Sequence, residues 1–185
     1  MNETAEIADS TTQKPSESTK PVREERELSA DPIANTMTET RLILVTSIVG
    51  AGGVIASIVI HGLAVVGIVI FGRSQVKAGR AGAGFWSDLV TVIVATMLAF
   101  TAHLVEIAVW TILFWGSGEF SGLVPNIQYA ATNYTTLGSA QAPARAGLLG
   151  PLAATDGMLM FGVSTAMLFA VVQRLLETRY PDLRD

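Results

Sequence analysis

The sequence predicts an all-α membrane protein with three membrane-spanning helices. Half of the 185 residues are hydrophobic and 15% are charged, whereas a soluble domain usually carries about 25% charged residues. The charges are also concentrated at one end, because nine of the 16 acidic and five of the 12 basic residues fall within the first 41 positions. The rest of the chain is so poor in charge that a lipid bilayer is its expected surroundings.

Three long apolar segments account for this composition. The first, residues 42–71, contains no formally charged side chain, and about 20 residues are enough to cross a bilayer. Its glycines favour close packing against a neighbouring helix in lipid. The second and third spans are predicted at residues 89–115 and 148–175. Four aromatic residues at or near the predicted span ends are interpreted as interfacial anchors: Trp86, Trp110, Trp115 and Phe120.

Hydrophilic segments flank and join the spans. Residues 1–41 are predicted to form a disordered acidic tail, because they hold too few large apolar side chains to build a core. A basic linker is predicted at 72–88 and a short tail at 177–185. The linker and the C-terminal end carry six basic residues, against four on the other side of the membrane. The positive-inside rule therefore predicts a plasma-membrane protein with its N-terminus outside and its C-terminus in the cytoplasm.

A polar segment separates the second and third spans. Residues 123–134 predict a helix of about three turns, which is too short to cross a membrane, and Thr135-Thr136-Leu137-Gly138 follows it directly. Irregular backbone at membrane depth is tolerated only where it is buried in protein or lines a water-filled cavity. The pattern therefore predicts a re-entrant helix and loop between two spans, which is the layout of a pore loop.

Residues Tyr129 to Gly138, reading YAATNYTTLG, resemble the pore helix and first half of the selectivity filter in a bacterial potassium-channel family. That family has two helices around a pore loop and is known as the ion channel domain. The resemblance covers residues 89–176, so the second span would be the outer helix, the third the inner helix, and residues 42–71 an addition. It implies a homotetramer that passes potassium or another monovalent cation and needs no cofactor.

The filter implied by this resemblance comprises six residues: Thr135, Thr136, Leu137, Gly138, Ser139 and Ala140. Backbone carbonyls would replace the water around the cation. Ser139 and Ala140 stand where the family has an aromatic residue and a glycine, so weakened potassium selectivity is expected. An alternative is a subunit of the same fold that does not conduct alone and assembles with a partner carrying an intact filter.

Four titratable side chains fall within the predicted spans: His61, His103, Glu106 and Asp156. His103 and Glu106 are three residues apart and share one helix face, which His61 can reach if the first two spans pack together. Three interpretations stay open, namely a polar clasp between these spans, a pH sensor, and a proton or metal path in a transporter. No metal site is predicted, because no third ligand is evident beside His103 and Glu106. Asp156 can form a hydrogen bond behind the filter or add negative charge near the ion path, and the hydrogen bond is expected.

Gly157 and Gly162 lie in the third span and allow two interpretations. They are candidate hinges at which an inner helix bends to open a gate, or they permit close packing between helices. Hinge residues need not be glycine, so the sequence does not choose between the two.

Other functional classes have less support. Cysteine is absent, so disulfides and thiolate metal sites are excluded. The net charge of −4 argues against a nucleic-acid partner. No nucleophile with a paired base and no phosphate-binding loop occurs in the sequence, so no enzymatic activity is predicted.

Overall fold

The computed structural model describes residues 32–118, 120–138 and 147–180. Every regular element in these ranges is an α-helix, which confirms the all-α class. The four helices are α1 (Pro32–Lys77), α2 (Phe85–Ser117), α3 (Leu123–Tyr134) and α4 (Leu149–Arg179). The chain divides into two units, Met1–Glu39 and Thr40–Asp185. The helix packing and the site described below belong to the second unit.

Helices α1, α2 and α4 are long and apolar enough to cross a membrane. Their most apolar segments have mean hydropathies of 2.7, 2.1 and 1.7, respectively. Large apolar side chains cover their outer surfaces, as in Ile48, Leu63 and Phe169, each more than 60% exposed. Water would not tolerate so extensive an apolar surface, so the three helices fit a membrane protein, as predicted.

The helix bounds differ from the predicted spans at the polar ends. Helix α1 begins at Pro32 instead of Leu42, so residues 32–41 of the predicted disordered tail are helical. The rest of that tail lies outside the described residues. Helix α1 also continues to Lys77, and the predicted 72–88 linker is reduced to the turn at residues 78–84. Hydropathy finds the apolar part of a helix, whereas backbone hydrogen bonds continue into the polar part.

Helices α2, α3 and α4 enclose an aromatic core. Trp110, Phe114, Tyr129 and Tyr134 are buried there with small and aliphatic residues of α4. The rings of Phe114 and Tyr129 meet edge to face, with their centroids 4.8 Å apart, a geometry favoured by the aromatic quadrupole. This core fixes the short helix α3 between the two long helices.

Helix α1 packs through a stripe of mostly small residues spaced three, four or seven apart. Its buried members are Thr46, Gly50, Gly53, Ser57, His61 and Ile68. Gly53 allows a close approach to α2, since a Cβ atom there would lie 2.7 Å from Leu113 Cδ1 and 3.3 Å from the Trp110 ring. Gly52 has no such neighbour within 4 Å. The stripe brings His61 against α2, as close packing through small residues allows.

Candidate functional site

Five polar side chains from all four helices form one buried network. His61 comes from α1, His103 and Glu106 from α2, Tyr134 from the end of α3, and Ser164 from α4. None of them is more than 6% exposed. Polar groups are costly to bury without hydrogen-bond partners, so the partners within this network account for its presence in an apolar interior.

Glu106 is the centre of the network. Its Oε1 atom is 2.9 Å from Nδ1 of His61, and its Oε2 atom is 3.2 Å from Nδ1 of His103. The Tyr134 hydroxyl donates a short hydrogen bond to the same Oε2 atom and also lies 3.0 Å from Nδ1 of His103. The carboxylate therefore connects α1, α2 and the last residue of α3.

Ser164 closes the network on the side away from Glu106. Its hydroxyl oxygen lies 3.0 Å from Nε2 of His103 and 3.0 Å from Nε2 of His61. The two imidazoles are thus held between a carboxylate and a hydroxyl, with ring centroids 5.1 Å apart. Phe161 covers the His103 ring at a centroid distance of 4.4 Å. Both histidines consequently present Nδ1 to Glu106 and Nε2 to Ser164.

Asp156 belongs to a separate contact between α2 and α4. The indole N–H of Trp110 donates to Oδ2 of Asp156 over 2.8 Å, and both residues are fully buried. The interpretation of Trp110 as an interfacial anchor is therefore wrong, whereas Trp86 and Trp115 are 76% and 57% exposed. Sequence could not reveal this pairing, because 46 positions separate the two residues.

The predicted filter loop starts where the network ends. Tyr134 precedes Thr135, and Thr136 adopts a left-handed backbone with φ of 62°, as does Gly138 with φ of 71°. The N–H groups of Thr136 and Gly138 donate back to carbonyls of α3, at 2.8 and 3.0 Å. Residues 136–138 are exposed on the single chain. Ser139 and Ala140 lie outside the described residues.

The two candidate hinge glycines have different surroundings. A Cβ atom on Gly157 would lie 2.8 Å from the carbonyl carbon of Tyr134, and closer still to its oxygen. Gly162 has no neighbouring atom within 4 Å of such a position. Gly157 therefore permits the close approach of α3 to α4, whereas Gly162, the other candidate hinge, has no close neighbour among the described residues.

The sequence indicated His61, His103 and Glu106 but not Tyr134 and Ser164 as their partners. His61 supplies the third ligand that was not evident beside His103 and Glu106: the three side chains each place a ligand atom within 4.8 Å of the others. A hydroxyl on a distant helix gives no signal in sequence spacing. Only the packing of α3 and α4 against α2 shows that these groups converge.

No protein-family model, curated protein or solved structure matches the chain. The likeness to a potassium-channel family therefore depends on the residues Tyr129 to Gly138 themselves.

Proposed function

We propose that the chain is a subunit of a cation channel of potassium-channel type, in which the Thr135–Gly138 loops of four copies surround the ion path. One observation carries this proposal: residues 136–138 are exposed, whereas Tyr134, which lies just before this loop, is buried and bonded to Glu106. Potassium is the expected permeant ion, and the bilayer and three further copies are the expected partners.

The depth of the loop in the bilayer follows from the bond between Tyr134 and Glu106. Tyr134 is bonded to Glu106, and Glu106 precedes the end of α2 at Ser117 by eleven residues. At about 1.5 Å per residue these correspond to roughly 16 Å. Half of a hydrocarbon core is about 15 Å. A spanning α2 would therefore carry the loop close to the middle of the bilayer.

Contact with lipid would be energetically unfavourable for residues 136–138. Thr136, Leu137 and Gly138 are exposed and have irregular backbone, and unsatisfied peptide groups cost several kcal/mol each in hydrocarbon. Other copies of the chain and a water-filled path satisfy such groups. A tetramer with the loop at its axis meets this requirement.

The chemistry of the loop suits a cation. Four copies of a short peptide segment supply rings of carbonyl oxygens in place of the water around the ion. Helix α3 ends at this loop, and the C-terminal end of a helix is the negative end of its dipole. Tyr134, tied to Glu106 and His103, fixes the height of the loop relative to the long helices.

The charge distribution supports the proposed orientation. Arg73, Lys77 and Arg174 line a cavity of about 630 Å³ at the end of the helices opposite the loop. Arg179 lies 3.7 Å from Asp88 at the same end. Cytoplasmic ends of membrane proteins carry an excess of such residues. This end would therefore face the cytoplasm of the plasma membrane.

The proposal is tested by ion flux from liposomes that contain the purified protein, with potassium, rubidium and sodium gradients compared. Flux of potassium and rubidium without sodium is expected from an intact filter, and flux of all three from a filter weakened at Ser139 and Ala140. Gly138→Ala should reduce flux, because a left-handed backbone costs a non-glycine residue about 1–2 kcal/mol in each subunit. Gly116→Ala is the matched control, since Gly116 is helical with no atom within 4 Å of an added Cβ.

The non-conducting subunit is separated from the channel by restoring the family residues. If the native chain passes no ion but the double variant Ser139→Tyr and Ala140→Gly does, the native chain needs a partner with an intact filter. If the restored chain forms tetramers and still passes no ion, the channel proposal fails.

A further inference from the structure

We propose that the buried network is a binding site for a divalent transition-metal ion of the zinc class. The ligands are Nδ1 of His61, Nδ1 of His103, the carboxylate of Glu106 and the phenolic oxygen of Tyr134. The proposal does not rest on ion conduction, because the site is defined by the side chains behind the loop and not by the loop itself.

Three pairs of donor atoms already lie near the spacing that a metal requires. Adjacent donors lie 2.9 Å apart between His61 and Glu106, 3.2 Å between His103 and Glu106, and 3.0 Å between His103 and Tyr134. Zinc bonds to nitrogen and oxygen are about 2.0–2.1 Å long, so tetrahedral donors lie about 3.3–3.4 Å apart. The Tyr134 oxygen contacts Oε2 of Glu106 more closely than two metal ligands can lie, and the ligand atoms of His61, His103 and Glu106 all lie within 4.8 Å of one another. Side-chain movements of about 1 Å would therefore complete a tetrahedral ligand set.

With neutral histidines, the metal-free network has fewer protons than contacts. The six contacts among these atoms each call for one proton. With Glu106 ionised and both histidines neutral, each imidazole and each hydroxyl, of Tyr134 and Ser164, supplies a single proton. Two contacts are then left as lone pairs facing each other, in an interior where unpaired polar groups are costly.

A metal ion removes this shortage. The four inward-facing lone pairs bind the ion, so both histidines carry their proton on Nε2. Both Nε2–H groups then donate to Ser164, whose oxygen has two lone pairs to accept them. A hydrogen bond from the second ring nitrogen is the usual support of a metal-bound histidine. Acceptance of these two hydrogen bonds explains why Ser164 lies between the two Nε2 atoms.

The charges also balance. Glu106 carries one negative charge, and the Tyr134 phenol would release its proton to solvent as its oxygen bonds to the metal. These two charges neutralise a divalent ion, so the loaded site has no net charge in a buried environment where an uncompensated charge is strongly unfavourable. Nitrogen and oxygen donors of this kind suit zinc, copper, nickel or iron.

The experiment uses the full-length protein in detergent, treated with a chelator, dialysed, and titrated with Co²⁺ as a spectroscopic probe. The expected result is intense visible absorption from a tetrahedral ion, at one ion per chain, which Zn²⁺ abolishes by displacement. His61→Gln and His103→Gln should each abolish the band, and Tyr134→Phe should alter it by removing an oxygen ligand. Circular dichroism confirms that each protein remains helical.

Ser164→Ala and Thr165→Ala form a matched pair on neighbouring positions of α4. Loss of a group that supports a ligand lowers metal affinity by about 10- to 100-fold, so Ser164→Ala should weaken Co²⁺ binding by that factor. Thr165 is exposed and bonds to the carbonyl of Phe161, so Thr165→Ala should bind as the native chain does. The proposal is overturned if the folded native chain leaves Co²⁺ with its spectrum in water, or if both histidine variants bind it unchanged.

Discussion

Replacing Gly157 with alanine should push α3 and α4 apart and thereby displace the loop. The added Cβ would lie 2.8 Å from the carbonyl carbon of Tyr134, whereas carbon atoms pack best at about 3.5–4.0 Å. The backbones must therefore separate by roughly 1 Å. Overpacking of this kind costs about 1–3 kcal/mol, and the obstacle here is backbone that cannot rotate away.

A second effect acts in the opposite direction. Alanine favours a helix over glycine by about 1 kcal/mol, so a net destabilisation of about 1 kcal/mol, and about 2 kcal/mol at most, is expected. A loss of about 1 kcal/mol is roughly a 5-fold change in the unfolding equilibrium constant. Gly162→Ala is the control, because it receives the same helix preference with no atom within 4 Å of the new Cβ.

The measurement is thermal unfolding of both variants and the native chain in one detergent, followed by circular dichroism. A loss of about 1 kcal/mol should lower the midpoint of Gly157→Ala by about 2–4 °C, while Gly162→Ala should match or exceed the native chain. Equal midpoints for the two variants would refute the close approach of Tyr134 to α4. Reduced ion flux in a fully stable Gly162→Ala would favour the hinge interpretation at that position.

Three further predictions follow from particular contacts. Gly53→Ala should loosen α1 from α2, because its Cβ would meet Leu113 at 2.7 Å. Its protease sensitivity should therefore exceed that of the control Gly52→Ala. Equal sensitivity of the two variants would contradict the packing of α1 against α2 at Gly53. Trp110→Phe removes the indole donor to Asp156 and should cost about 1–3 kcal/mol, a loss that chemical denaturation would measure. Tyr134→Phe keeps the ring but loses the hydrogen bond from the hydroxyl to the Glu106 carboxylate, so it should reduce potassium flux at unchanged protein abundance. A flux equal to that of the native chain would show that this hydrogen bond does not position the loop.

Local chemistry determined the fold class, the three apolar spans and the short helix. Residues 123–134 are predicted as a helix, and the structure places α3 at Leu123–Tyr134. Turn residues and polarity mark its ends within a few positions. Composition was a poor guide to the ends of α1, because a helix continues into polar sequence as long as its backbone hydrogen bonds continue.

The partners of the intramembrane charges were decided by tertiary structure. Spacing alone places His103 and Glu106 on one face of α2, since both lie on the same helix. Ser164 and His61 are 103 positions apart, yet they form one hydrogen bond, because a stripe of small residues lets α1 approach the other helices. The sequence by itself therefore determined which segments can lie in lipid and which polar groups they contain. Only the packing of four helices decided which of these groups meet, because that depends on distances between segments and not on periodicity within one.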